Sequence, residues 1–387
     1  MYSARSRADT SRVASSHDTT AEFSLPALDL RLVGRRAALP LALAAAALAV
    51  VLLAGGPLHV LVDALSRALS ADPRWIALAA VAELLSFTGY IALFWLVGRR
   101  ATPRLDLRAG AEITLAGAAA TRLLPTAGVG GAALTLWSIT KTGMGSKRAG
   151  RLLLTFLALL YGVFLAGIAV SGAVIALGLG DTTGDAVLGG GAATAAALAL
   201  AVGAVLGVRR GDASEHAGRI GRATALIGGA VRDAAGFLRG GDARLLGAPV
   251  WWAFDATVLW ATFNALGTPP PIAVLAFAYF AGQVGNTLPL PGAVSGGMVG
   301  TLLAFGVAPD LALSSVLAYR AVAIWLPAPI GLAALAALRA RVARWAREDE
   351  EAAGLVEAIV RPATPHVMPA VRPVARLTTA TPCAGSA

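Results

Sequence analysis

The chain has 387 residues, of which 57% are hydrophobic and only 14% are charged, and its formal net charge is +10. Its mean hydropathy is +0.71, whereas in soluble domains roughly a quarter of the residues are charged. This composition excludes an ordinary soluble domain and predicts an integral membrane protein. The basic residues lie between apolar runs, so they indicate cytoplasmic loops and contact with anionic lipid, and not nucleic acid.

Cofactor and metal chemistry has little support in the sequence. The single cysteine, Cys383, lies in a Pro/Thr-rich tail, so neither a disulfide framework nor a Cys/His metal site is predicted. The histidines all fall outside the apolar runs: they are His17, His59, His216 and His366. We therefore expect no cofactor, no bound metal and no histidine-based catalysis within the membrane.

The first half of the chain predicts three membrane spans and one interrupted pair of short helices. Residues 1–30 are rich in Ser, Thr and Arg and are expected to form a disordered cytoplasmic tail. The full spans are Ala37–Leu58, Trp75–Gly98 and Leu152–Gly180. Between the last two, Ala109–Leu123 and Ala127–Thr140 are too short to cross, because ~14 residues cover ~21 Å of a ~30 Å core. Basic clusters flank this pair on both sides, which predicts a re-entrant hairpin entering from the cytoplasm.

The second half predicts the same set of elements. Its full spans are Ala186–Val208, Leu245–Leu266 and Leu311–Leu338. The arginine-rich segment 209–244 is typical of an interfacial amphipathic helix on the cytoplasmic leaflet. Ile272–Leu288 and Ala293–Val307 form the second short pair, separated by prolines that a helix cannot run through. No basic residue flanks this pair, so we expect it to enter from outside.

These elements predict an all-α polytopic membrane protein with about six transmembrane helices and two re-entrant helical hairpins. Nearly all Lys and Arg fall in loops assigned to the inside, which places both termini in the cytoplasm. The membrane domain is expected to cover 31–345, with halves 37–180 and 186–338 related as an inverted repeat. Residues 346–387 are expected to form a second disordered cytoplasmic tail.

Charged side chains within the apolar spans mark candidate sites, because each costs ~2.5–3.5 kcal/mol to insert. Arg320 lies deep in its span and could bind a lipid phosphate through two parallel hydrogen bonds. The alternative for Arg320 is a structural ion pair with Asp255, which is similarly deep. Arg122 adjoins the first break and could receive an anionic head group. Glu83 could bond to a neighbouring helix, and Glu112 lies close enough to the interface to be solvated.

The second break contributes further candidates. Gln283 and Asn286 either line a polar pocket or satisfy broken backbone. Gly292 could expose backbone N–H groups to an anion, although its spacing with Gly296 and Gly300 also permits close helix packing. The predicted head-group site consists of Arg122, Asp255, Gln283, Asn286, Pro291, Gly292, Ser295 and Arg320.

Several motifs around the second break are similar to those of a known family. The chain resembles the flippase-like integral membrane family, which includes the transmembrane region of lysylphosphatidylglycerol synthase. The motifs that carry its carboxyl-terminal signature are LPLPG at 288–292, Gly306–Val307, Tyr319–Arg320 and Trp325–Leu326–Pro327. RLLPTAG at 122–128, followed by Lys141–Gly143, resembles the amino-terminal signature more loosely.

The resemblance covers roughly 35–345 and implies a multi-pass protein of the bacterial cytoplasmic membrane that moves lipids or lipid-linked precursors between leaflets. Its expected partners are anionic membrane lipids or lipid-linked precursors. One departure concerns Ser295, which stands where the family usually has a glutamate; if that acid couples transport to protons or cations, this chain lacks the coupling group. The synthase's soluble aminoacyl-transfer domain also has no counterpart in the short segment after Arg347, which favours transport over an enzyme.

Two alternatives to a flippase remain open at this point. The chain could be the membrane subunit of an enzyme that modifies aminoacyl-phospholipids or glycolipids, with the catalytic part on another chain. It could also be a membrane partner that transports nothing.

Overall fold

The computed structural model describes residues 66–123, 128–179, 186–208, 218–288, 290 and 292–360. These residues form α-helices joined by turns and short 3-10 helices, and they contain no β-strand. The all-α prediction is therefore confirmed for this part of the chain. The predicted first span, Ala37–Leu58, and the tails at 1–30 and 361–387 lie outside the described residues.

The helices are named here in chain order. They are α1 (Pro73–Arg99), α2 (Leu107–Leu123), α3 (Val129–Thr140), α4 (Ser146–Ala176), α5 (Ala186–Val208), α6 (Arg219–Arg239), α7 (Gly247–Leu266), α8 (Ile272–Gln283), α9 (Ala293–Ala304), α10 (Pro309–Trp325) and α11 (Pro327–Val360). Short 3-10 helices at Ala243–Leu246 and Val284–Thr287 precede α7 and extend α8.

Among the described helices, α1, α4, α5 and the stretch Pro309–Val356 through α10 and α11 are long and apolar enough to cross a membrane. The predicted span Leu311–Leu338 is thus divided into two helices at Pro327, which lacks the N–H needed to continue the hydrogen-bond ladder. α7 has 20 residues, but Asp255, Asn264 and several tryptophans make it less apolar than those helices.

α1 and α7 pack against each other as an antiparallel pair, the most extensive helix contact among the described residues. At one end the N–H of Asp72 donates to the carbonyl of Ala265 at 3.1 Å. At the other end Gly89 meets Gly247, and a Cβ added at position 89 would lie 2.5 Å from the carbonyl oxygen of Gly247. Glycine at this crossing therefore permits a backbone approach that a side chain would block.

Each predicted short pair forms two packed helices, α2 with α3 and α8 with α9. The second helix of each pair has 12 residues and so covers ~18 Å, which is less than a ~30 Å membrane core. Both of these helices start after a left-handed glycine, Gly128 with φ 76° and Gly292 with φ 82°. The breaks lie where the Pro/Gly clusters predicted them, although Pro289 and Pro291 are outside the described residues.

The helix that follows each pair packs against the pair of the other half. α4 contacts α8, with Gly167 facing the ring of Phe280. In the second half α10 contacts α2, and Gly331 of α11 faces Ala119 of α2. Each half therefore contributes a helix to the surroundings of the other half's short pair.

The loops group at the two ends of α1 and α7 as the basic residues predict. Near the end of α1 the guanidinium of Arg100 lies 4.4 Å from the ring centre of Phe237, which belongs to α6. Near the start of α1 Arg67 pairs with Asp310 at 2.7 Å. The loops predicted to be cytoplasmic thus contact one another, and so do those predicted to be external.

Two arginine-rich segments differ from their predicted extents. Within 209–244 the structure shows an amphipathic helix at Arg219–Arg239, while 209–217 lie outside the described residues. α11 continues to Val360, whereas the sequence analysis assigned the residues after 345 to a disordered tail. That segment is rich in Ala and Glu, which are strong helix formers. Residues up to Trp345 belong to the compact unit of the membrane helices, and those after it form a separate unit.

Candidate functional site

A cavity of about 330 Å³ lies among helices of both halves. Its polar lining includes Arg122, Asp255, Gln283, Asn286 and Arg320, all of which the sequence predicts as site residues. The remaining wall is formed by residues of α1, α2, α3, α4, α7 and α10. An apolar cavity with a few convergent polar groups is the usual form of a small-ligand site. We call it the central cavity.

Arg122, in the last turn of α2, holds two buried acids together. Its Nη1 donates to Oε1 of Glu83 on α1, and its Nη2 lies 3.8 Å from Oδ1 of Asp255 on α7. Glu83 is 0% exposed and Asp255 is 2% exposed. The guanidinium also lies 5.1 Å from the ring centre of Phe87 and 5.5 Å from that of Trp251. Because buried carboxylates need a cation or hydrogen-bond donors, Arg122 stabilises both acids in an apolar interior.

The same guanidinium satisfies the backbone at the helix break between α10 and α11. Nη1 of Arg122 donates to the carbonyl of Ala323 at 2.5 Å. The residue four positions after Ala323 is Pro327, which has no N–H to bond this carbonyl within the helix. Arg122 supplies the missing donor from α2 and therefore connects the first short pair to the last helices.

Asp255 accepts hydrogen bonds from a row of neutral side chains on α8 and α10. The hydroxyl of Tyr279 donates to its Oδ2, and that of Tyr319 donates to the same oxygen at 3.2 Å. Gln283 Nε2 in turn donates to the hydroxyl of Tyr319 at 3.1 Å. Asn286 Nδ2 donates to Oε1 of Gln283 at 2.7 Å. These bonds form a continuous polar chain from the second break to the buried acid.

Each acid keeps one oxygen without a hydrogen bond. Among the described residues, neither Oε2 of Glu83 nor Oδ1 of Asp255 has a hydrogen-bond donor, and both atoms are buried. Buried polar atoms are rarely left without a partner in native proteins. Oδ1 of Asp255 is the oxygen that lies 3.8 Å from Nη2 of Arg122, so charge attraction without a hydrogen bond holds this pair.

Arg320, adjacent to Tyr319 on α10, also lines the central cavity and is partly buried. No described residue forms a salt bridge or a hydrogen bond with its side chain. The alternative in which Arg320 pairs with Asp255 is therefore not what the structure shows, because Asp255 faces Arg122. The sequence places Arg320 and Asp255 at similar depths in their spans, but it does not indicate toward which neighbouring helix each side chain points.

The family model described as Lysylphosphatidylglycerol synthase TM region matches residues 37–331. The chain belongs to this family. The resemblance predicted from the Pro/Gly motifs and from Tyr319–Arg320 is thereby confirmed. No curated protein matches the chain. The matched region contains the charge cluster of Glu83, Arg122 and Asp255 and every residue of the polar chain, so the site lies within the matched transmembrane region.

Other residues predicted for the site lie elsewhere in this transmembrane domain. Gly292 is an exposed cap of α9, and Ser295 lies partly buried on α9; neither lines the central cavity. Pro291 is outside the described residues. Glu112 is not simply solvated, because it accepts two hydrogen bonds from Arg341 at 2.6 and 2.7 Å.

Sequence reasoning missed a tyrosine that belongs to the polar chain of the site. Tyr279 is four residues before Gln283 on α8, so both side chains lie on one face of that helix. That spacing, within a short apolar helix before a Pro/Gly break, was the available signal. Among the described residues, no group of three His, Cys, Asp or Glu side chains is placed to hold a metal ion.

Proposed function

We propose that this protein moves lipids or lipid-linked precursors with anionic head groups between the leaflets of the bacterial cytoplasmic membrane. In this proposal the head-group phosphate binds Arg320 in the central cavity. Membership of the lysylphosphatidylglycerol synthase TM-region family supports a role connected with lipid modification or transport. The preference for transport over lipid modification rests on the distribution of charged side chains within the central cavity.

The observation that carries the proposal is the contrast between the two cavity arginines. Arg122 is occupied by Glu83, Asp255 and the Ala323 carbonyl, whereas Arg320 has no such partner among the described residues. A guanidinium stays charged at accessible pH, and a partly buried charge without a partner is costly. A phosphate accepts two parallel hydrogen bonds from arginine, so it is the ligand that best matches Arg320.

We further propose that the chain crosses the membrane six times, carries two re-entrant hairpins and keeps both termini in the cytoplasm. The 12-residue lengths of α3 and α9 and their left-handed glycine caps support the hairpins. The antiparallel contact of α1 with α7 supports an inverted repeat, because corresponding helices of inverted halves run in opposite directions. In such repeats the binding site lies where the two halves meet, as the central cavity does.

Exchange of fluorescent anionic phospholipid between leaflets, in vesicles that contain only this protein, tests the proposal. The variant is Arg320→Lys, which keeps the charge but loses the two-pronged geometry. Its matched control is Arg339→Lys, at an exposed position of α11. We expect similar membrane levels for both variants, with exchange about tenfold slower or more for Arg320→Lys alone, since hydrogen bonds to charged groups contribute ~1.5–3 kcal/mol.

Equal exchange by Arg320→Lys and Arg339→Lys would show that Arg320 does not bind the transported phosphate. No exchange by the unaltered protein, at confirmed reconstitution, would refute lipid transport itself.

A membrane subunit whose catalytic part is on another chain would make no product alone, so the following assay tests only whether this chain is itself an enzyme. We expect the purified chain to make no aminoacylated lipid when it is supplied with charged tRNA and phospholipid. Formation of such a lipid by this chain alone would establish enzymatic activity instead.

A further inference from the structure

A second cavity of about 430 Å³ lies between the end of α1, the start of α4 and α6, and shares no lining residue with the central cavity. Part of its lining is apolar, from the buried Val97 and Leu152 and the partly buried Phe237. Arginine side chains from α4 and from the residue after α1 complete it. We call it the basic cavity.

The positive charge of the basic cavity is only partly balanced. Arg151 is paired with Asp233 through two hydrogen bonds of 2.6 Å each. Within the described ranges, Arg148 donates one side-chain hydrogen bond, to the backbone carbonyl of Ala101 at 3.2 Å. Arg100 lies over the ring of Phe237. Neither Arg100 nor Arg148 forms a salt bridge with any acid in the part of the chain that the structure describes. Both are exposed, so two cations face this opening.

A nearby acid that senses the charge of Arg100 is already occupied. Asp242, in the turn after α6, accepts hydrogen bonds from Arg244 Nε at 2.8 Å and Nη2 at 2.5 Å. Asp242 therefore lowers the positive electrostatic potential near Arg100, but it forms no ion pair with Arg100 that an incoming anion would have to break.

An amphiphile with an anionic head fits this combination of surfaces. A soluble anion would leave the apolar lining unfilled, and a neutral lipid would leave both arginines unpaired. Basic pockets between membrane helices on the cytoplasmic side commonly bind anionic lipid head groups. The basic cavity is formed by loops that the positive-inside pattern assigns to that side.

We propose that the basic cavity holds one anionic phospholipid of the cytoplasmic leaflet, with its phosphate on Arg100 and Arg148 and an acyl chain along Val97 and Leu152. This lipid joins α6 to α1 and α4. The inference depends on the membrane location of the chain and not on lipid transport.

The test uses phosphatidylglycerol with a photoreactive acyl chain, bound to the full purified chain in neutral detergent, and maps the crosslinked peptides. We expect crosslinks on the segments around Val97, Leu152 and Phe237, and no comparable labelling there by the phosphatidylcholine analogue. Crosslinks confined to other segments, or equal labelling by the neutral lipid, would overturn the proposal.

Charge-matched variants separate binding in the cavity from general attraction. Arg100→Gln with Arg148→Gln should reduce crosslinking at these segments by about tenfold or more, because each removes a charged hydrogen-bond donor. Lys147→Gln with Arg339→Gln removes the same net charge at exposed positions outside the cavity and should change it by less than about twofold. Equal losses in the two pairs would mean non-specific attraction. If the first pair does not purify as a folded protein, the crosslink map of the unaltered chain still decides the question.

Discussion

Replacing Arg122 by Met should destabilise the protein more than any surface substitution. It leaves Glu83 and Asp255 without their shared cation, and breaking a buried ion pair typically costs ~3–5 kcal/mol. It also leaves the Ala323 carbonyl without a donor, which adds ~1–3 kcal/mol. We therefore expect a loss of ~4–8 kcal/mol in the free energy of unfolding. Arg339→Met, on an exposed surface, should stay within ~0.5 kcal/mol.

A double-mutant cycle with Glu83 isolates the electrostatic part of this loss. Glu83→Gln keeps the shape and an acceptor oxygen, and Arg122 retains Asp255 and Ala323, so this change should cost only ~1–2 kcal/mol. When Arg122 is absent, however, the neutral amide at position 83 needs no cation. The double variant should therefore be more stable than the sum of the single losses implies, by ~1.5–3 kcal/mol.

Unfolding of the purified variants in mixed micelles, followed by tryptophan fluorescence, measures these differences. Losses that add within ~0.5 kcal/mol would refute a direct Arg122–Glu83 interaction. A loss for Arg122→Met no larger than that for Arg339→Met would refute the assignment of Arg122 as the cation of the buried acids.

Three further outcomes follow from the fold and its loops. In a Cys383→Ser background, a cysteine placed at Thr268 should react with an impermeant thiol reagent added outside, and a cysteine placed at Ser146 should not react. Labelling at position 146 would contradict the first re-entrant hairpin. Gly89→Ala should lower the free energy of unfolding by ~1–3 kcal/mol, because the added Cβ would meet the backbone of Gly247. The control Gly203→Ala should leave stability unchanged, because a Cβ there meets nothing within 4 Å. Equal effects of the two substitutions would refute the close α1–α7 contact. Hydrogen bonds from Arg244 hold the pKa of Asp242 well below its usual range. The stability contributed by this pair is therefore fully present above the usual aspartate pKa. It is lost as the pH falls below that value and through the lowered pKa of the folded state. Asp242→Asn should reduce this acid dependence in melts between about pH 2 and pH 5, and an unchanged profile would contradict it.

The breaks in the fold could be predicted from the sequence because they depend on local chemistry. Proline is excluded from helix interiors and a left-handed backbone favours glycine, so the starts of α3 and α9 lie within two residues of their predicted positions. After residue 345, by contrast, the structure shows a helix where a polar tail was expected, and the Ala and Glu residues there are strong helix formers.

The partners within the site could not be predicted in this way. Arg122 meets Glu83, 39 positions away, and Ala323, 201 positions away. Such contacts are set by how helices rotate and cross, and a single sequence carries no direct record of either. Insertion cost singled out Asp255 as a charge in need of a partner, but the ion pair it suggested was with Arg320, whereas the structure places Arg122 beside this acid.

The bond from Arg122 to Ala323 has a mechanical consequence. The Arg122 guanidinium, which bonds the carbonyl left unbonded by Pro327, also pairs with Glu83 and Asp255. The break between α10 and α11 and the two buried acids therefore depend on the same side chain. An anion that draws Arg122 toward itself would release this carbonyl at a cost of ~1–3 kcal/mol. By reciprocity, a movement at Pro327 that already separates the carbonyl from Arg122 would strengthen binding of that anion by the same free energy. Occupancy of the central cavity and the angle of the last helices are therefore thermodynamically linked.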